Sequence, residues 1–139
     1  MLFTQLDKYR QTGLLVLRLG LGIMFVIHGF PKMMAGPEKW AELGGVMGLL
    51  GLKFAPAFWG FMAAFAELGG GLLLILGFFF RPACALLAFT MFVAMFMHLS
   101  KGDDLNIASH AIEACITFIS LIFIGPGDYA LDSKIKGKA

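Results

Sequence analysis

Four long apolar stretches decide what this chain can fold into. Residues 13–30, 55–80, 82–99 and 107–125 each carry at most one Asp, Glu, Lys or Arg, and about 20 apolar residues at 1.5 Å rise cross roughly 30 Å of hydrocarbon as a helix. In lipid every backbone amide needs an internal partner, so a spanning segment is a helix or a strand of a closed barrel. The alternating ten-residue pattern of barrel strands is absent, and helices remain. Composition agrees. Charged residues make up only 14% of the 139, where about 25% is usual in soluble proteins, and the mean hydropathy is +0.84. The expected fold is all-α: a four-helix transmembrane bundle, one membrane domain over residues 1–139, with the lipid bilayer as its surroundings.

The net charge of +2 comes with no basic stripe or aromatic-basic platform, which excludes nucleic acid as a partner. Lys134, Lys136 and Lys138 read as a tail near anionic lipid. An even number of spans puts both termini on one side, together with the turn at Arg81. That side then holds Lys8, Arg10, Arg81, Lys134, Lys136 and Lys138, against Lys32, Lys39, Lys53 and Lys101 opposite. The positive-inside bias places both termini in the cytoplasm. The first stretch lacks a small-x-small cleavage site after its apolar run, so it reads as a span rather than a removable signal.

Between the first two spans, residues 31–54 form the only sizeable loop. Trp40, Leu43, Met47 and Leu50 recur there at helical spacing, and Gly36-Pro37 suits a helix start. A short interfacial helix is expected. The preferred reading is an anchor for the bundle; the other is a lid over a pocket.

Ionisable side chains at mid-depth are costly, so those in the spans face the bundle interior as a site or a structural pair. Arg18, Leu21, Phe25, His28 and Lys32 fall within about 80° of one helix face. Glu67 lies near mid-depth on a stripe of small residues, Gly60, Ala63, Ala64, Gly70 and Gly71, which suits close helix approach. His98 closes the third span. His110, Glu113, Thr117 and Ser120 make a polar stripe on the fourth, expected to turn inward. Glu67, Glu113, His28 and Arg18 are the expected catalytic residues, and His98, His110, Lys32 and Trp59 the expected ligand-binding ones. Each has a structural alternative: His28, His98 and Lys32 can snorkel to the interface, and Arg18 can reach its own interface or bridge to Glu67.

No metal is expected. A di-iron bundle needs two Glu-x-x-His motifs and two further Glu, whereas His110 and Glu113 offer one pair in reversed order. A His pair on facing helices could hold haem in principle, but no flavin or haem motif is identifiable. Cys84 and Cys115, placed by distance from the span ends, come out roughly 17–20 Å apart in depth, outside disulfide reach, and read as small apolar residues. Gly69-Gly70-Gly71 lies within a span and reads as packing, not as a phosphate loop. The remaining polar set suits proton transfer or hydrogen bonding to a lipid-soluble carbonyl compound, with His as donor.

Leu17-Arg18-Leu19-Gly20-Leu21-Gly22, then His28-Gly29-Phe30-Pro31-Lys32, then Glu67-Leu68-Gly69-Gly70-Gly71-Leu72, Gly77 through Arg81, and Gly125-Pro126-Gly127-Asp128-Tyr129-Ala130-Leu131-Asp132 together resemble the DoxX family of four-span bacterial membrane proteins. The resemblance implies a multi-pass protein of the bacterial inner membrane, related to the small subunit of a thiosulfate:quinone oxidoreductase and to oxidoreductases linked with catechol and quinone resistance. Arg18, His28, Lys32 and Glu67 are the positions matching the family pattern. It implies quinone or quinol as ligand, with electrons from a partner subunit, flavin or haem, since the chain carries no evident electron carrier. Distant relatives are cargo receptors or assembly chaperones. Two readings therefore stand: a quinone-linked oxidoreductase or a membrane subunit of one, and a non-enzymatic transporter, cargo receptor or scaffold. A homo-oligomer is compatible with either.

Overall fold

The structure, a computed structural model, describes residues 4–137; Lys138 of the expected basic tail lies outside the described residues. Among the described residues six α-helices follow in order: α1 (Arg10–Met34), α2 (Pro37–Gly44), α3 (Pro56–Leu76), α4 (Phe80–Ser100), α5 (Leu105–Ile124) and α6 (Leu131–Lys136), with 3₁₀ segments at Thr4–Tyr9 and Gly45–Leu50. There is no strand among the described residues. α1, α3, α4 and α5 are long and apolar enough to cross a membrane. The all-α bundle is as expected, and so is a short helix between the first two spans.

The span ends shift for local reasons. α1 runs through Pro31 and ends one turn later. α3 stops at Leu76 rather than near residue 80, because Gly77 takes φ +65° and closes the helix with Gly77 N–H to Leu74 O (3.1 Å) and Phe78 N–H to Leu73 O (3.1 Å). That is a Schellman end, which glycine adopts without a Cβ penalty. α6 was not expected.

α1 packs on α3, α3 on α4 and α4 on α5. α1 and α5 meet through side chains: Phe25 and Phe118 edge to face at 4.9 Å between ring centroids, and His28 beside His110 at 5.8 Å. Phe25, Leu74, Phe80, Leu87, Phe118 and Leu121 make the core. Lipid gives little hydrophobic drive between helices, so close backbone approach does the work. A Cβ on Gly22 would lie 2.7 Å from Gly71 O, and one on Gly29 would run into the Leu68 backbone. α2 is set on α3 in the same way, with Gly44 against Pro56 and Gly60 against Trp40.

At the end where α3 stops, three chain segments are tied together. Arg18, fully buried, donates to Leu74 O (3.1 Å), Ile75 O (2.9 Å) and Pro126 O (3.0 Å). The last carbonyls of a helix lack intrahelical partners and carry partial negative charge, so a guanidinium caps them well. Asp132 caps α4, its carboxylate accepting from Phe79 N–H (3.0 Å) and Phe80 N–H (2.9 Å), while its own N–H donates to Gly77 O (3.0 Å). Arg81 Nε reaches Ile122 O at 2.8 Å.

Candidate functional site

The opposite half of the bundle holds a cavity of about 580 Å³. Its walls come from α1, α3, α4 and the start of α5, and its roof from Leu43, Val46 and Met47 of the α2 and 3₁₀ segment. The lining is mostly aliphatic and aromatic, including Phe25, Met62, Phe89 and Met97, with a few converging polar groups. That is the make-up of sites for apolar molecules with a polar end.

The polar end is built around Glu67. Gly29 brings α1 against the α3 backbone at Glu67 and Leu68. Side chains on a helix lean toward its N-terminus, so Lys32, one turn further along α1, points back onto the Glu67 carboxylate. Its Nζ lies 2.8 Å from Oε1 and 2.7 Å from Oε2. The Glu67 side chain is 5% exposed and that of Lys32 37%, so the carboxylate is held inside while the ammonium sits at the cavity edge. Trp40 Nε1 donates to Lys32 O at 2.9 Å, fixing the end of α1 under α2. His28 and His110 face each other across the α1–α5 seam. His98 Nδ1 is 2.7 Å from Asp103 Oδ2, and Thr90 donates to its own helix at Leu86 O (2.9 Å).

Of the expected site residues, the structure brings Glu67, Lys32, His28, His98, His110 and Trp59 to this one cavity. Arg18 and Glu113 do not line it. Arg18 is a correction: it neither pairs with Glu67 nor faces the cavity, because the exposed carbonyls at the end of α3 and Pro126 take its donors. Glu113 is a second: it is exposed on the outer face of α5 with Ser120, since α5 turns Ala111, Cys115 and Phe118 inward instead. The cysteine depths are a third. Cys115 Sγ reaches Ala88 O at 3.5 Å and Arg81 reaches Ile122 O, so Cys84 lies level with Ile119, about one turn or 6 Å from Cys115. Counting each cysteine from its own span end ignored the register of the α4–α5 hairpin. Both thiols are free and buried.

The sequence reading undervalued the roof. Leu43 and Met47 carried the signal, at helical spacing, but nothing in the sequence shows that Gly44 and Gly60 press α2 onto α3 and so turn these side chains over the cavity. Among the described residues no three His, Cys, Asp or Glu side chains stand close enough to hold a metal ion.

Fold and site define a helical, multi-pass membrane protein with an ion pair set into the wall of an apolar cavity. The chain belongs to the DoxX family, whose profile matches residues 13–99. It is 32% identical over 135 residues to an uncharacterized protein of Haemophilus influenzae, covering 93% of this chain and 95% of the relative. It is 31% identical over 134 residues to the Bacillus subtilis protein named "Putative oxidoreductase CatD" (96% and 95% covered). It is 28% identical over 138 residues to the Escherichia coli inner membrane protein YqjF (96% and 99%). No solved structure matches the chain.

Proposed function

We propose that this chain is the quinone- or quinol-binding membrane component of an oxidoreductase, folded as one domain in the bacterial inner membrane with both termini in the cytoplasm. The observation that carries the reading is the Lys32–Glu67 pair in the wall of an otherwise apolar cavity. An ammonium has three donors. Two go to the Glu67 oxygens, which leaves the third for a carbonyl oxygen in the cavity, while the apolar lining takes the ring and tail. His28 and His110 stand at the seam as further donors or acceptors.

Quinone becomes quinol by taking two electrons and two protons. The cavity residues bind, orient and exchange protons. The electrons come from a partner subunit or a redox group it carries. The name of the Bacillus subtilis relative supports this direction. The cytoplasmic placement of the termini is supported by Lys32 reaching into the bundle instead of standing in the outer loop, which widens the basic excess on the other side.

Trp59 lines the cavity and reports on its contents. Titrating a short-chain quinone into the protein in lipid nanodiscs should give saturable quenching of its fluorescence, lost in Trp59→Phe. Binding should weaken at least tenfold, about 1.4 kcal/mol, in Glu67→Gln and His28→Ala variants that melt as cooperatively as the wild type. Linear, unsaturable quenching of equal slope in all variants would sink the reading.

A further inference from the structure

α5 wears its polarity on the wrong side for a helix in lipid. Asn106, Ser109, His110, Glu113, Thr117 and Ser120 fall within about 100° of arc along its whole length. The opposite face, with Ala108, Ala111, Cys115 and Phe118, is the one buried in the bundle. In water this would be ordinary amphipathicity. In a membrane it presents a polar strip to hydrocarbon. Glu113 stands about 12 Å from Leu105 and about 16 Å from Ile124 along the axis, which is mid-span, where an unpaired carboxylate is costly and normally faces a partner. It is exposed, and its carboxylate makes no hydrogen bond or ion pair among the described residues. Ser109, Thr117 and Ser120 give their hydroxyl protons to their own helix, at Asn106 O, Glu113 O and Ile116 O, so their oxygens face outward as acceptors.

We infer that this strip is the interface of a parallel homodimer, α5 against α5 of a second copy. The strip is self-complementary. His110 and Glu113, an imidazole with an N–H to donate and a carboxylate to accept it, are one turn apart. A two-fold axis along the membrane normal brings His110 of each copy to Glu113 of the other, once on each side, as an isologous contact requires. Above that pair, the outward Ser109 oxygen offers the Asn106 amide of the facing helix an acceptor about one turn away. Interhelical hydrogen bonds of this kind drive association in lipid. Because His110 also lines the cavity, the dimer contact and the cavity wall share a residue.

The test is cross-linking in native membranes. In a Cys84→Ala/Cys115→Ala background, Asn106→Cys and Ser120→Cys should give a disulfide-linked dimer on mild oxidation. Val16→Cys, on the outward face of α1, should not. Independently, the fluorophore-labelled wild type in liposomes, diluted with lipid, should bleach in two steps, and Glu113→Leu should weaken dimerisation at least tenfold. Equal cross-linking at Val16→Cys, an adduct with a different protein, one-step bleaching at every density, or a dimer indifferent to Glu113→Leu would each overturn the proposal.

Discussion

Gly29 of α1 lies so close to the Leu68 amide of α3 that no Cβ fits between them. That contact sets the depth of α1 against α3, and with it the distance from Lys32 to Glu67. Gly29→Ala should force the helices apart and cost about 1–3 kcal/mol, the range for overpacking a tight contact. Gly20→Ala, with nothing within 4 Å of the added carbon, should be neutral. Denaturant unfolding in mixed micelles compares the two, and equal stability would show that the contact is slack.

The ion pair should be asymmetric. Lys32→Met leaves the Glu67 carboxylate, 5% exposed, buried without its cation, and should cost about 3–5 kcal/mol. Glu67→Gln leaves Lys32, which is 37% exposed and can swing its ammonium to the surface, and should cost about 1.5–3 kcal/mol, the range for a lost charged hydrogen bond. The reverse order in the same unfolding assay would mean that the lysine, not the acid, is the trapped charge.

Arg18→Lys should behave as a structural lesion. A lysine cannot span Leu74 O, Ile75 O and Pro126 O with one planar fork, and the loss should be about 1.5–3 kcal/mol. Quinone quenching of Trp59 in the folded fraction should be unchanged, because Arg18 is remote from the cavity. A selective loss of quenching with normal stability would return Arg18 to the site.

Asp132→Ala removes both acceptors from the start of α4 and frees Phe79, whose φ of +45° is held by that carboxylate. A lost cap costs about 0.5–2 kcal/mol. The effect should concentrate locally, so trypsin should cut at Lys134 and Lys136 several-fold faster than in the wild type while cleavage at Lys53 is unaltered.

How much of this was legible follows from where each residue's position is decided. The spans follow from hydropathy, and the burial of Glu67 from the small residues around it, both local properties of the chain. Lys32 was expected among the ligand-binding residues, with snorkelling to the interface as the alternative, but its pairing with Glu67 was not foreseen because it depends on the register of α1 on α3, which Gly29 fixes in three dimensions. Arg18 was misread because its acceptors exist only once α3 has ended at Gly77 and the segment at Pro126 has folded back. Glu113 was turned the wrong way by a rule that usually holds, that polar faces in membranes point inward; here the other face is the buried one, with Cys115 against Ala88 of α4 and Phe118 against Phe25 of α1.

The contact from Arg18 to Pro126 joins residues 108 positions apart. During synthesis Arg18 is threaded into the bilayer long before its last acceptor leaves the ribosome, so the bundle stays unlatched until all four spanning helices have been made. Chains that stop short of Pro126 therefore carry a buried guanidinium with one acceptor missing, and the end of α3 is left tied to α1 alone.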